Sequence, residues 1–344
     1  MIAMKAPKLS SLLLPILLSA APAVFGQASS TMHPEKVVGN TVCADCHEEE
    51  FKAWKSSAHS RADSVHRDAK TRKKAEEIAK KMGLKNAAAM TSSPLCTECH
   101  FTRQKKGGST KVISGVSCES CHGGGKDYYE VHGEKDKIGD RAERQKLSKA
   151  AGMLYPHDTF LVAENCFNCH IVRDEKLVNV GGHPARSKGF NLVSWTQGEV
   201  RHNFYTPGYK RGAENLGTVQ DRKRKMLVVG MLLDLEYSLR SLSKVTESGT
   251  FRNAMGKRCN AIITGELPKV IEKLGGDSAP AELLEIQTAV KDLKLTSSKL
   301  EPIAAAADKI KGPIAAFSKS QDGSGLAGVD PLIPSSAKGE PWQP

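Results

Sequence analysis

The second half of the chain carries hydrophobic residues at helical spacing. The longest stripe runs through residues 221–246 and consists of Met226, Val229, Leu232, Leu233, Leu239 and Leu242. Shorter patterns of the same kind predict helices at about 252–264, 268–274, 281–293 and 298–311. We therefore expect an α-helical bundle over residues 217–320.

The first half shows helical signals interrupted by loops. Residues 48–59 read as a helix, because Phe51, Trp54 and Ala58 form a stripe. The charged segment 68–82 predicts an exposed helix, and strand signals are weak throughout. The pattern as a whole predicts a mainly α protein with little sheet.

The two ends of the chain differ from the rest in composition. Within residues 1–26, Lys5 and Lys8 precede the apolar run 12–18, and small residues follow it. This layout is that of a signal peptide, which implies export to the periplasm or beyond the cell. The tail 321–344 is rich in Gly, Pro and Ser and is expected to be disordered.

The charge of the chain narrows the class of partner. The formal net charge is +12, or +10 without Lys5 and Lys8. A basic protein can bind nucleic acid, but an exported one does not meet it, so we expect acidic protein partners and no nucleic acid. No stretch after the signal peptide reaches the roughly 20 apolar residues of a spanning helix, so we expect no integral membrane span in the mature chain.

Eight of the nine cysteines occur as pairs that are each followed directly by histidine. The four motifs are Cys43-Ala-Asp-Cys46-His47, Cys96-Thr-Glu-Cys99-His100, Cys118-Glu-Ser-Cys121-His122 and Cys166-Phe-Asn-Cys169-His170. This CxxCH pattern is the attachment motif of c-type haem, in which the two thiols bond to one porphyrin and the histidine ligates its iron. The sequence therefore predicts four covalently attached haems.

Zinc is the closest alternative for part of this set. Cys96, Cys99, Cys118 and Cys121 have the spacing of a zinc ribbon. A ribbon would leave the histidine of each motif, and the two further motifs, unexplained. Haem accounts for all of them.

The second axial ligands must come from the seven remaining histidines: His33, His59, His66, His132, His157, His183 and His202. His59 lies twelve residues after His47 on a predicted helix, about 18 Å along its axis. It therefore cannot ligate the iron held by His47 and would have to serve another haem. We predict His59, His132, His202 and His183 as the distal ligands, with His202 favoured over His183.

The motif order and two local details resemble the tetrahaem cytochrome c-554 family. The details are Trp54, Ser57 and His59 after the first motif, and the run from Gly115 to Gly123 around the third. The resemblance covers about residues 40–205. It implies that His59 and His132 are distal ligands and that the haems pack in stacked and edge-on pairs. Known members pass electrons from hydroxylamine oxidoreductase or in related respiratory chains, and one of their irons can lack a sixth ligand.

These observations predict a multihaem cytochrome c fold followed by a helical bundle. The expected divisions are a signal peptide (1–26), a tetrahaem domain (27–216), a helical region (217–320) and a disordered tail (321–344). We expect a periplasmic electron carrier with mostly bis-histidine haems that exchanges electrons with redox-partner proteins. The alternative is a haem enzyme with one five-coordinate iron that acts on nitric oxide, nitrite or hydroxylamine. The sequence leaves the oligomeric state open, a homo-oligomer or a filament subunit included.

Overall fold

The computed structural model describes residues 33–133, 138–201, 220–296 and 298–340. The predicted signal peptide and His202 lie outside these residues. The predicted boundary at 216–217 does so too, and that division of the chain stays a prediction.

Helices dominate the described part of the chain. The first ten are α1 (Asn40–Ala44), α2 (Glu48–Ser56), α3 (Arg72–Lys81), α4 (Pro94–His100), α5 (Cys118–His122), α6 (Tyr129–Gly133), α7 (Arg141–Ala150), α8 (Thr159–His170), α9 (Glu175–Asn179) and α10 (Leu192–Thr196). The later ones are α11 (Gln220–Leu242), α12 (Thr250–Ala261), α13 (Leu267–Lys273), α14 (Ala281–Val290) and α15 (Glu301–Ser320). Short 3₁₀ segments connect several of them, and a π-helical turn, Ile262–Glu266, joins α12 to α13.

One antiparallel hairpin interrupts the helices. Its strands are β1 (Thr102–Lys106) and β2 (Ser109–Ser114), with Lys106 paired to Ser109. Gly107 and Gly108 form the turn, both at positive φ, which glycine adopts without steric cost. The predicted mainly α fold class is therefore confirmed.

Helix α11 forms the centre of the largest hydrophobic core. Nearly every residue from Met226 to Leu242 is buried, and α11 packs against α8, α12 and α15. Gly230 lets α10 approach closely, because a Cβ there would lie 2.7 Å from the Cβ of Leu192. The core thus joins α8, which carries the fourth motif, to the C-terminal helices.

The N-terminal region has a much smaller apolar cluster. It consists of Ala75, Ala79, Ala87, Met90, Cys96 and Phe101. Most of these side chains are small and include a cysteine of the second motif. This composition suits a region whose interior is completed by a cofactor.

The predicted C-terminal helices occur close to their expected positions, but the tail differs. Residues Ser324–Leu332 form a 3₁₀ segment in which Leu326 and Val329 are buried. Asp330 also accepts hydrogen bonds from Arg224 on α11, the Nε to Oδ1 distance being 2.6 Å. The expectation of disorder from residue 321 therefore does not hold for this segment, because two apolar side chains and an ion pair anchor it. Within the described residues, no helix is both long and apolar enough to cross a membrane.

Candidate functional site

Each CxxCH motif lies on or beside a short helix. Helices α4, α5 and α8 end on the motif histidines, whereas Cys43 lies in α1 and His47 directly precedes α2. Cysteines three positions apart lie on neighbouring positions of one turn, and the histidine follows on the same side. The local helix thus gathers the three reactive side chains in the last three motifs, and a turn closed by His47 N donating to Cys43 O at 2.9 Å does so in the first.

Three of the motif histidines face a second histidine that is distant in sequence. The ring centroids of His47 and His132 are 6.0 Å apart, and those of His59 and His170 are 6.1 Å apart. The centroids of His100 and His183 are 6.3 Å apart. Two imidazoles on opposite sides of one metal, each bonded at about 2 Å, have centroids roughly 6 Å apart. The spacing of all three pairs therefore fits a shared iron.

The outer nitrogens of several of these rings are held by neighbouring oxygens. The Nδ1 contacts are His122 to Leu154 O at 2.9 Å, His132 to Tyr155 Oη at 3.2 Å, His170 to Ser187 Oγ at 2.7 Å and His183 to Pro184 O at 2.8 Å. A partner on Nδ1 sets the orientation of the ring and leaves Nε2 available to a metal. Sequence reasoning missed Tyr155 and Ser187, because nothing local marks them as neighbours of a histidine.

Burial keeps most of these imidazoles neutral, which is the state that ligates iron. It lowers the pKa of His100 to about 4, with a further contribution from His183. The pKa values of His132 and His170 are also lowered to about 4, mainly by burial. His47 is the exception, since a hydrogen bond to Glu50 raises its pKa.

The two sequence details around His59 and the third motif contact each other. Trp54 donates from Nε1 to the carbonyl of Val116 at 2.7 Å, and Val116 N donates to His59 O at 2.9 Å. Gly115 has no space for a side chain, because a Cβ would lie 2.5 Å from His59 O. The third motif thereby holds the backbone of His59 in place opposite His170.

Glu119, between the cysteines of the third motif, ties that motif to the segment before the first. Its side chain is 1% exposed and accepts from the backbone amides of Val38 and Gly39 at 2.9 Å each, and of Gly125 at 2.8 Å. Three amide donors satisfy the buried carboxylate. The sequence did not indicate this role of Glu119, because haem attachment does not specify the two residues between the cysteines.

Cysteine thiols of different motifs lie next to each other. Cys118 neighbours Cys43, and Cys169 neighbours Cys99, where the helices of these motifs pack together. The pKa of Cys166 is raised, mainly by burial and also by the nearby thiol of Cys121. The four sites therefore follow one another in the order first, third, fourth, second.

The same pairing separates the cysteines of the suggested zinc ribbon. Cys118 contacts Cys43 of the first motif, and Cys99 contacts Cys169 of the fourth. In the described ranges, no three His, Cys, Asp or Glu side chains are grouped to hold a metal ion by themselves. The residues present fit haem, which supplies four equatorial ligands and needs only axial histidines.

Aromatic side chains form the wall beside the fourth motif. Phe190 stacks on His170 with ring centroids 4.3 Å apart and planes 10° apart. Trp195 lies 5.1 Å from the same ring, edge to face. Phe167, within the motif, packs on Phe190 and on Tyr237 of α11. The C-terminal core therefore supports the proximal side of this site.

The comparisons with known proteins agree with the geometry of the motifs. The profile of the family described as cytochrome c554 and c-prime matches residues 42–123, which contain the first three motifs. Cytochrome c-554 of Nitrosomonas europaea is 30% identical over an alignment 144 residues long, which covers 39% of this chain and 57% of the relative. The chain thus matches little more than half of that protein's length. A search of the solved structures found no match.

The family profile falls on the first three motifs, and one histidine of each facing pair, His47, His59 or His100, lies within it. Through this region the chain is therefore similar to the cytochrome c-554 family, and the similarity supports a c-type cytochrome with covalently bound haem c.

Proposed function

We propose that this protein holds four haems c and transfers electrons between redox-partner proteins. The observation that carries the proposal is the set of three facing histidine pairs, each spanning about the separation of two axial ligands on one iron. In this assignment the eight motif cysteines attach the haems, and His47, His100, His122 and His170 are proximal ligands. His132, His183 and His59 are distal ligands opposite His47, His100 and His170.

His202 remains a predicted distal ligand, and we propose that it serves the iron at His122. Three of the four predicted distal histidines are accounted for by the other motifs, which leaves His122 and His202 to be matched. His202 lies outside the described residues, and elimination supports the assignment.

The order of the sites supports electron transfer along the protein. Bound haem c supplies one-electron chemistry, because its iron alternates between the ferric and ferrous states. The thiol contacts bring the first motif next to the third and the fourth next to the second. Contacts on Nδ1 hold the histidine rings in fixed orientations, so the ligands need little rearrangement when the charge changes.

We further propose that the protein works in the periplasm. The support is the predicted signal peptide, residues 1–26, together with the expected maturation of c-type haem outside the cytoplasm. An exported carrier of this kind would meet soluble or membrane-attached redox proteins rather than nucleic acid.

Two measurements on the purified full-length protein test these proposals. Intact mass should exceed that of the processed polypeptide by four haems, and a smaller excess would contradict the count. The spectrum of the reduced protein should change little on addition of carbon monoxide, as expected for bis-histidine irons. One equivalent of carbon monoxide bound per chain would instead favour the alternative, an enzyme with an open iron.

Replacing Tyr155 with phenylalanine should shift the midpoint potential of one haem by on the order of tens of millivolts. The variant removes the Oη that lies 3.2 Å from Nδ1 of His132 and so changes the basicity of that ligand. Spectroelectrochemical titration measures the shift. Tyr129→Phe is the matched control, since the Tyr129 hydroxyl is exposed and bonds to Glu130. Equal potentials in both variants would show that Tyr155 does not influence His132.

A further inference from the structure

Helix α3 covers the second motif. Its inner face contributes Ala75 and Ala79 to the cluster that contains Cys96 and Phe101. Phe101 follows His100 directly and lies against its ring. Helix α3 therefore lies in the same packed cluster as the second motif.

The outer face of α3 is strongly basic. Its exposed cations are Arg72, Lys73, Lys74, Lys80 and Lys81, against two carboxylates on the same helix, Glu76 and Glu77. Of these cations, Lys80 lies 3.5 Å from Glu76. We call these five side chains the basic α3 face.

Two cations of the basic α3 face lie beside the distal histidine of the same site. The Nζ atoms of Lys74 and Lys81 are 3.4 and 3.8 Å from the position that a Cβ on Gly182 would occupy. Gly182 precedes His183, whose ring faces His100. A positive surface thus adjoins the axial ligand of the second site.

The opposite end of the series of sites carries the other charge. The first motif is followed by Glu48, Glu49 and Glu50, and Asp45 lies between its cysteines. Lys52 bonds to both Glu48 and Glu49 at 2.9 and 3.0 Å, which neutralises only part of this charge. An acidic protein would be repelled at the first site and attracted at the second.

We propose that the basic α3 face is the docking surface for an acidic protein partner, which exchanges electrons with the haem attached at Cys96 and Cys99. The second site ends the series first, third, fourth, second, so a partner bound there has access to the whole series. The proposal rests on the proposed electron-carrier function. It adds the place on the protein where the acidic partner makes contact.

Charge reversal at Lys74 and Lys81 tests the docking surface. The probe is ferricyanide, a small anionic oxidant, mixed with the fully reduced protein in a stopped-flow instrument at low ionic strength. The variant K74E/K81E should be oxidised roughly tenfold more slowly than the wild type, and the difference should disappear at about 1 M salt, where charges are screened. Poly-L-glutamate should slow the wild type and leave the variant unaffected.

The matched control is K291E/K309E, which makes the same change in net charge on exposed lysines at the end of α14 and on α15. Equal slowing in both variants would show a net-charge effect and would overturn the docking surface. So would a shift in the midpoint potentials of K74E/K81E, which would mean that the two lysines neutralise the haem itself rather than a partner.

Vesicles that contain phosphatidylglycerol distinguish a protein partner from a membrane. Binding of the wild type to these vesicles, lost in K74E/K81E but not in the control, would assign the face to an anionic lipid surface and contradict our proposal. Failure of the proposed function looks different, since the wild type would then bind carbon monoxide at one iron, whatever the charges at positions 74 and 81.

Discussion

Replacing Asp234 with asparagine should lower the free energy of unfolding by about 3–5 kcal/mol. Asp234 is 2% exposed and accepts two hydrogen bonds from Arg186, at 3.0 and 2.7 Å. It also accepts from Arg258 Nε at 2.8 Å. An amide in its place cannot balance the guanidinium of Arg186, whose side chain is 19% exposed, whereas Arg258 keeps its ion pair with Glu266.

The Asp234 variant should also disturb the site at the fourth motif. Arg186 pairs through its backbone with Ile171, and the next residue, Ser187, bonds to His170 through its side chain and its main chain. His183, which faces His100, is three residues before Arg186. Helix α11 thereby holds, through Asp234, the segment that orients one proposed axial ligand and provides another.

Thermal unfolding of the haem-loaded protein checks this prediction. We expect the Tm of Asp234→Asn to fall by roughly 10 °C. Asp308→Asn is the control, because Asp308 pairs with Arg240 but its side chain is 69% exposed, and surface pairs contribute little. A Tm for Asp234→Asn equal to that of the control would show that the buried ion cluster does not stabilise the protein. If the haem potentials were unchanged in this less stable variant, Asp234 would have no role at the fourth site.

The reduced His59→Ala variant should bind one more carbon monoxide per chain than the reduced wild type. The ring of His59 faces His170, and burial lowers its pKa, which keeps the imidazole neutral. Its loss leaves one side of that site without a nitrogen donor. Titration of the reduced variant with carbon monoxide, followed in the Soret region, measures the new site.

His157→Ala is the control for this variant. The side chain of His157 is 56% exposed and contacts Lys149 and Asp158 rather than a motif histidine. It should bind no more carbon monoxide than the wild type. If His59→Ala also gains no site, while its intact mass still shows the full number of haems, His59 is not an axial ligand.

The sequence predicted the attachment motifs because their chemistry is local. Two cysteines and a histidine within five residues come together on one helical turn, whatever the rest of the chain does. The same locality explains why the C-terminal helices, such as α11, occur near their predicted positions. Hydrophobic stripes at helical spacing depend only on neighbouring residues.

Only the tertiary structure shows which residues that are distant in the sequence lie close together. Chain geometry excluded His59 from the iron at His47, but only the fold places it opposite His170. Glu119, Ser187 and Asp234 carry no recognisable sequence signal, since each acts on a group that becomes its neighbour only after folding. The tail near Leu326 was expected to be disordered for the same reason, because its composition is polar while its few apolar side chains are buried by distant helices.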